Sequence, residues 1–128
     1  MQELEDSIIR VPSPAMLANC RALVVGGEDE PRRRLRRLAE GRAFDTREAM
    51  SGGEAIARLH NEHCPIMIVD SRLPDMSPAD LCNEVRDSLR SRYVYTLLLC
   101  EPEDSAAIVA GLRAGADDCL SRTARAAE

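Results

Sequence analysis

The stretch PIMIVDSRLPDM (residues 65–76) decides the fold, because a short apolar run in it ends at a carboxylate, Asp70. An ionised carboxylate in apolar surroundings is costly unless it is paired or bound to a metal. We therefore expect a strand to end at Asp70 and to hold this side chain at its open end, where solvent or a cation reaches it.

Further short apolar runs lie on both sides of this one, and amphipathic segments separate them. The five predicted strands are RALVV (21–25), AFDTREA (43–49), IMIVD (66–70), VYTLLLC (94–100) and DDCLS (117–121). Five strands interleaved with four helices are typical of an α/β fold, a three-layer doubly wound parallel sheet. Ligands of such sheets bind beyond the carboxyl ends of the strands, where we expect Asp70.

Signals for helix starts support this division of the chain. Ser51 and Glu54 have the spacing of a capping box, and Ser77 followed by Pro78 is a second start signal. We expect both serine side chains to accept a hydrogen bond from the first turn of the helix that follows.

The composition favours one domain with an aliphatic core, since 45% of the 128 residues are hydrophobic and only 2% are aromatic. The net charge of −5 argues against a general affinity for nucleic acid or anionic membranes. All 17 basic residues are arginines, and the run RRRLRR (32–37) lies beside the acidic EDE (28–30). We interpret this run as a solvated helix face.

No apolar stretch has the length of a membrane span, and the N-terminus lacks the apolar region of a secretory signal. We therefore expect a cytoplasmic protein. The five cysteines are irregularly spaced, which indicates reduced thiols. His60, His63 and Cys64 form a tight group, but no second ligand cluster completes a zinc site. Residues 1–19, with the prolines of VPSPAM, are predicted to be a leader or linker outside the core.

Two segments of the chain resemble the response regulator receiver domain of two-component signalling. IMIVDSRLPDM is similar to the family's phospho-acceptor segment, and LRAGADDCLS to the stretch that leads into its last strand. The resemblance covers residues 21–123, and we place a receiver domain at 20–128. It implies a flavodoxin-like sheet of order 2-1-3-4-5 with Asp70 as phospho-acceptor. The sequence around RYVYTLLL is also similar to that of receivers fused to a diguanylate cyclase (GGDEF) domain.

In this family, a carboxylate attacks a phosphoryl group from a histidine kinase and forms an acyl phosphate. The resemblance implies Mg²⁺, held by Asp70 and an acidic pair after the first strand. The gap-free alignment puts Gly26 and Gly27 at that pair. Glu28 and Asp29 follow two residues later and remain alternative metal ligands, since glycines permit unusual backbone geometry.

The other positions of the family site also depart from the pattern. Cys100 stands where the resemblance implies a hydroxyl, and Arg122 stands where it implies a lysine, with Thr123 in place of a proline. A thiol is a weak donor, and a guanidinium does not simply replace an ammonium. Cys119 occupies the aromatic switch position. These departures predict a degenerate receiver that acts by dimerisation or by docking to an output domain.

Two other interpretations remain open at this point. In the first, Glu28 and Asp29 hold Mg²⁺ and Arg122 contacts the phosphoryl group, so that the receiver is competent. In the second, Asp70 is the nucleophile of a phosphatase of the haloacid dehalogenase type. That family has an aspartate two residues later, where this chain has Arg72. A flavin site is disfavoured because GGEDEP puts carboxylates where a phosphate would bind.

The partners that the resemblance implies are a sensor histidine kinase and the protein's own output domain, with no direct nucleic-acid or membrane contact. The chain ends six residues after Arg122, where the family has one more helix. We therefore expect a receiver truncated at its C-terminus, with apolar surface on the first and fifth strands. A homodimer or a longer protein would cover that surface.

Overall fold

The computed structural model describes residues 20–70, 72–100 and 105–121, and within them it contains five strands and four helices. In chain order they are β1 (Arg21–Val25), α1 (Asp29–Gly41), β2 (Asp45–Ala49), α2 (Gly52–Asn61), β3 (Ile66–Asp70), α3 (Pro78–Ser88), β4 (Tyr95–Cys100), α4 (Ser105–Ala114) and β5 (Asp118–Ser121). The predicted elements are thus all present. The expected leader at 1–19 and the expected missing last helix lie outside the described residues.

All neighbouring strands pair in parallel, in the order β2-β1-β3-β4-β5. The strand order reverses between β1 and β3, where Val25 pairs with Val69. In doubly wound sheets, this reversal opens a crevice at the carboxyl ends of the strands. Asp70, one residue after Val69, lies at that crevice. We call this side of the sheet the carboxyl edge and the opposite side the amino edge.

The helix starts follow the predicted caps. Ser51 Oγ accepts from the Glu54 amide at 3.1 Å, and Ser77 Oγ accepts from the Asp80 amide at 3.0 Å. The capping box at α2 is shifted by one residue, because Glu54 Oε1 accepts from the Met50 amide at 2.6 Å. These bonds satisfy amide donors that have no partner within the helix.

The core has two apolar layers, one on each face of the sheet. On one face, Leu35 and Ala39 of α1 pack against alternate residues of β1, β3 and β4. On the other face, α2, α3 and α4 pack against the remaining residues of these strands. The expectation that β1 exposes apolar surface is wrong: its last four residues are 0% exposed.

The spacing of Ile108 and Leu112 predicts an apolar face of α4, and of these two residues Ile108 packs against the core but Leu112 does not. Leu112 is 46% exposed, and Gly111 and Ala114 are buried instead. A Cβ on Gly111 would overlap the Leu98 side chain, so the missing side chain allows α4 to approach β4 closely. No helix in the described ranges is both long enough and apolar enough to cross a bilayer.

Candidate functional site at the carboxyl edge

Asp70 ends β3, as the sequence predicts, and pairs in register with Leu99 on β4. Gly26, the first residue after β1, lies beside it, since a Cβ built on Gly26 would be 3.4 Å from Asp70 Cβ. The predicted exposure of Asp70 is wrong, because the residue is only 2% exposed. The carboxylate is at the expected edge of the sheet but is closed off from solvent.

The segment after β3, which we call the 72–74 loop, folds back against the turn between β1 and α1. The Gly27 amide donates to the Arg72 carbonyl at 3.0 Å, and the Arg72 amide donates to Asp70 Oδ1 at 3.2 Å. The guanidinium of Arg72 extends the contact, because Nη1 is 2.7 Å from Glu28 Oε1. These bonds hold the loop next to Asp70.

Gly27 is required by this close approach. A Cβ at this position would be 3.0 Å from the Arg72 carbonyl oxygen and 3.1 Å from Pro74 Cδ, so the loop would have to move. The unusual backbone that the sequence suggests for Gly26 and Gly27 is absent, since Gly115 is the described glycine with positive φ. The glycine pair therefore serves loop closure rather than a distorted turn.

Arg32 is buried at the same edge, with 6% of its surface exposed. Its Nε is 2.8 Å from Glu48 Oε1, its Nη2 is 2.8 Å from Asp29 Oδ1, and its Nη1 donates to the Gly26 carbonyl at 3.0 Å. The prediction of a solvated face for 32–37 is wrong at this residue. Arg32 shares the inward face of α1 with Leu35, and its three partners compensate the burial of its charge.

Glu48 joins two helical arginines to β2. It also accepts from Arg36 Nη1 at 2.6 Å. Burial acts to raise the pKa of Glu48, but the hydrogen bonds and charges of Arg32 and Arg36 outweigh it, so the pKa is lowered. This network ties α1, β2 and the end of β1 together beside Gly26.

The acidic residues that the sequence offers as metal ligands both bond to arginines. Glu28 pairs with Arg72, and Asp29 pairs with Arg32, whose hydrogen bond lowers the pKa of Asp29. Within the residues described here, no group of three or more His, Cys, Asp or Glu side chains is placed to hold a metal ion. The Mg²⁺ that the resemblance implies therefore does not fit this donor set, since both candidate carboxylates are engaged by guanidinium groups.

The remaining predicted site residues are only partly placed. Cys100 ends β4 at the carboxyl edge, although its side chain lies outside the described part, as does all of Arg122. Cys119 on β5 is half-buried and packs against the core. Cys64 is 2% exposed, whereas His60 is exposed. Four cysteines in the described ranges are free thiols.

Asp75 is a site residue that the sequence reasoning missed. Its two carboxylate oxygens accept from the amides of Gly52 and Gly53, each at 2.9 Å, and these bonds lower the pKa of Asp75. The bonds attach the segment after β3 to the start of α2. In the sequence, the Asp75 carboxylate follows a strand end, and two glycines begin the preceding helix. Only the topology of the sheet brings the carboxylate and the glycine amides together.

Arg32 and Glu48 were also missed, although the sequence contains a signal for Arg32. Residues 32, 35 and 39 have the spacing of one helical face, and Leu35 and Ala39 are apolar. An arginine on that stripe is predicted to be buried only if a carboxylate meets it. Glu48 supplies the carboxylate from a different element, and no local pattern predicts that pairing.

Comparison with known proteins gives one family. The family model described as "Response regulator receiver domain" matches residues 22–128. The transcriptional regulatory protein GltR of Pseudomonas aeruginosa is 32% identical over 108 residues, which are 84% of this chain and 45% of that protein. The DNA-binding response regulator MtrA of Mycolicibacterium smegmatis is 28% identical over 102 residues, 80% of this chain and 43% of that protein.

Solved structures agree with the sequence match. The crystal structure of a response regulator receiver protein from Pseudomonas putida superposes with a TM-score of 0.74 at 26% identity, and the match covers 83% of this chain and 88% of that one. The chain spans less than half the length of the two curated relatives. With the parallel 2-1-3-4-5 sheet and an aspartate at the end of β3, these matches show that the chain belongs to the response regulator receiver domain family of two-component signalling.

Proposed function

We propose that this receiver has Asp70 at the phospho-acceptor position but a degenerate acidic pocket, and that it signals by contact, through dimerisation or by docking to an output domain. The observation that carries the proposal is the burial of Asp70, 2% exposed, beneath a loop bonded to Gly27. A phosphoryl donor has to reach the carboxylate oxygens in line with the bond that breaks. The closed 72–74 loop obstructs that approach.

Electrostatics supports the same conclusion. Phosphoryl transfer to a carboxylate needs cationic stabilisation of the transferred oxygens, which a divalent ion supplies best. Here Gly26 and Gly27 have no side-chain oxygen, and the nearby Glu28 and Asp29 are paired with Arg72 and Arg32. Mg²⁺ would have to displace two guanidinium groups to recruit these carboxylates. We therefore propose weak or absent Mg²⁺-dependent phosphorylation.

The alternative is a competent receiver in which Glu28 and Asp29 hold Mg²⁺ and control an output domain. Side-chain exposures of 53% and 62% leave both carboxylates within reach of solvent cations. Their ion pairs with Arg72 and Arg32 compete directly with metal binding, so this alternative has less support. The phosphatase hypothesis has none, because position 72 supplies an arginine, paired with Glu28, in place of the second aspartate.

For the whole protein, we propose a DNA-binding output domain rather than a diguanylate cyclase. The two curated relatives are described as a transcriptional regulatory protein and a DNA-binding response regulator, and both extend well beyond the matched region. Nucleic-acid contact would then belong to the output domain, in keeping with the net charge of −5 of this chain. A sensor histidine kinase is the proposed input partner, in the cytoplasm.

Incubation with acetyl phosphate and Mg²⁺, followed by intact-mass analysis, tests the proposal. Wild type is expected to carry little or no phosphate, and Asp70→Asn none at all. Arg72→Ala, which loses the ion pair to Glu28, is expected to be modified faster than wild type. A nearly stoichiometric, stable adduct on Asp70 of the wild-type protein would contradict the proposal and favour the competent receiver.

A further inference from the structure

A cavity of about 350 Å³ lies at the amino edge of the sheet, on the side opposite Asp70. The end of α3, the segment leading into β4 and the turn before β5 form its walls. Val85 and Leu89 supply an apolar floor, and both are buried. The volume falls in the range of small-molecule sites.

Three arginines line this cavity: Arg86, Arg90 and Arg92. Arg86 Nη2 donates to the Gly115 carbonyl at 3.0 Å, and Arg92 Nη2 donates to the Leu59 carbonyl at 2.7 Å. Each of these two bonds fixes one arm of a guanidinium that has five N–H donors. Over the described ranges, no carboxylate lies within ion-pair distance of these three arginines, and the nearest acidic influence is Asp117, whose carboxylate is affected by the charge of Arg86.

Tyr93 directly follows Arg92 in the sequence and also lines the cavity. The chain has only three aromatic residues, and Tyr93 is 62% exposed, whereas Phe44 is 8% exposed. An exposed ring beside an apolar floor offers a face for stacking. Guanidinium groups bind phosphate and carboxylate through paired hydrogen bonds.

We propose that the amino-edge cavity binds a small aromatic anion, with a phosphate or carboxylate held by the arginines and a flat ring packed against Tyr93. A concave site of this volume suits a small molecule better than an extended polymer. Cations are favoured near the carbonyl end of a helix, which accounts for Arg86 in the last turn of α3. This effect does not account for Arg92, which lies four residues beyond the helix. The site is independent of the chemistry at Asp70.

Calorimetric titration of the complete chain with three probes tests this site and separates the two anion sources. Adenosine monophosphate carries a ring and a phosphate, benzoate carries a ring and a carboxylate, and inorganic phosphate carries no ring. We expect at least one ring-bearing probe to bind with a dissociation constant below about 1 mM, and inorganic phosphate to bind at least about tenfold more weakly. The stronger of the two ring-bearing probes identifies the anion.

Variants at exposed positions test the residues without disturbing the core. Arg90→Gln and Tyr93→Ala are each expected to weaken binding by about fivefold or more. Arg34→Gln removes the same charge from an exposed position on α1 and is expected to leave binding within about twofold of wild type. Binding followed by amide chemical shifts should perturb residues 82–96 and leave Gly26 and Asp70 unchanged.

The proposal is overturned if neither ring-bearing probe shows saturable binding up to about 10 mM. Equal losses in Arg90→Gln and Arg34→Gln would also overturn it, since they would indicate a general charge effect. Inorganic phosphate that binds as tightly as both ring-bearing probes would overturn the role given to Tyr93.

Discussion

At the carboxyl edge, Arg32 is buried and bonded to Glu48, Asp29 and a main-chain carbonyl, whereas at the amino edge Arg90 is exposed beside a cavity. The chain has no lysine, so the same cationic group serves both places. At the carboxyl edge, the guanidinium groups pair with carboxylates and close the site. At the amino edge, Arg86 and Arg92 donate to carbonyls and retain further donors, which we propose bind an external anion.

This contrast shows that the acidic groups around an arginine, more than its location in the fold, decide whether its charge is neutralised. A buried guanidinium is stable only when several acceptors replace its water. Glu48 and Asp29 do this for Arg32, and the resulting network occupies the region where a receiver would gather metal ligands. The structure therefore separates a neutralised site from a cationic cavity within one small sheet.

The largest expected effect comes from Arg32→Met, which keeps the apolar stem and removes the guanidinium. Glu48 and the Gly26 carbonyl lose a partner, so we expect a loss of about 2–3 kcal/mol in the free energy of unfolding. Urea denaturation measures it. Arg33→Met, at an exposed neighbouring position, is the matched control and should change stability by less than about 0.5 kcal/mol. Equal effects of the two variants would contradict the distinction between buried and solvated arginines.

Gly115→Ala tests the wall of the amino-edge cavity. Gly115 has φ +114°, and a Cβ there would overlap the guanidinium of Arg86. The positive φ alone should cost about 1–2 kcal/mol. Urea denaturation measures this loss, and Arg86→Gln in the same background should reduce the part that comes from overlap. An alanine variant as stable as wild type would show that the turn does not constrain Arg86.

Gly27→Ala tests the closure of the 72–74 loop. The added Cβ would be 3.0 Å from the Arg72 carbonyl oxygen, so we expect the loop to move away and stability to fall by about 1 kcal/mol. Hydrogen exchange of the residue-27 amide should accelerate with it. Gly41→Ala is the control, because a Cβ there would meet nothing within 4 Å outside its own helix backbone and its chain neighbours. It should be neutral or slightly stabilising at the end of α1.

Acid should destabilise the protein through Glu48 and Asp75. Both pKa values are lowered in the folded protein, from ordinary values of 4.5 and 3.8. Their contribution is therefore present above those values and is lost as the pH falls through the lower folded pKa. Burial raises the pKa of Asp117, which acts with the opposite sign. The urea midpoint should fall below about pH 4, and Asp75→Asn should reduce that fall. A midpoint that rises continuously on acidification would contradict the paired state of Glu48.

The sheet could be predicted from local patterns, because β1, β3 and β4 are short apolar runs and the serines before α2 and α3 satisfy the first helical amides. The end of β3 at Asp70 could likewise be predicted, because the apolar run changes to a carboxylate at that residue. The burial of Asp70 could not be predicted, since it depends on tertiary contacts at the end of β3 that no local pattern specifies. The pairing of Arg32 with Glu48 depends on contact between α1 and β2, which periodicity does not specify.

The state of the carboxyl edge is tested most directly by a Mg²⁺ titration followed through the amide signals of Gly26, Gly27 and Asp70. With the acidic groups bonded to arginines, we predict no saturable shift of these signals below about tens of millimolar, the same response as Asp70→Asn. Saturable one-to-one binding at low millimolar Mg²⁺, absent from Asp70→Asn, would contradict the account and establish a working metal site.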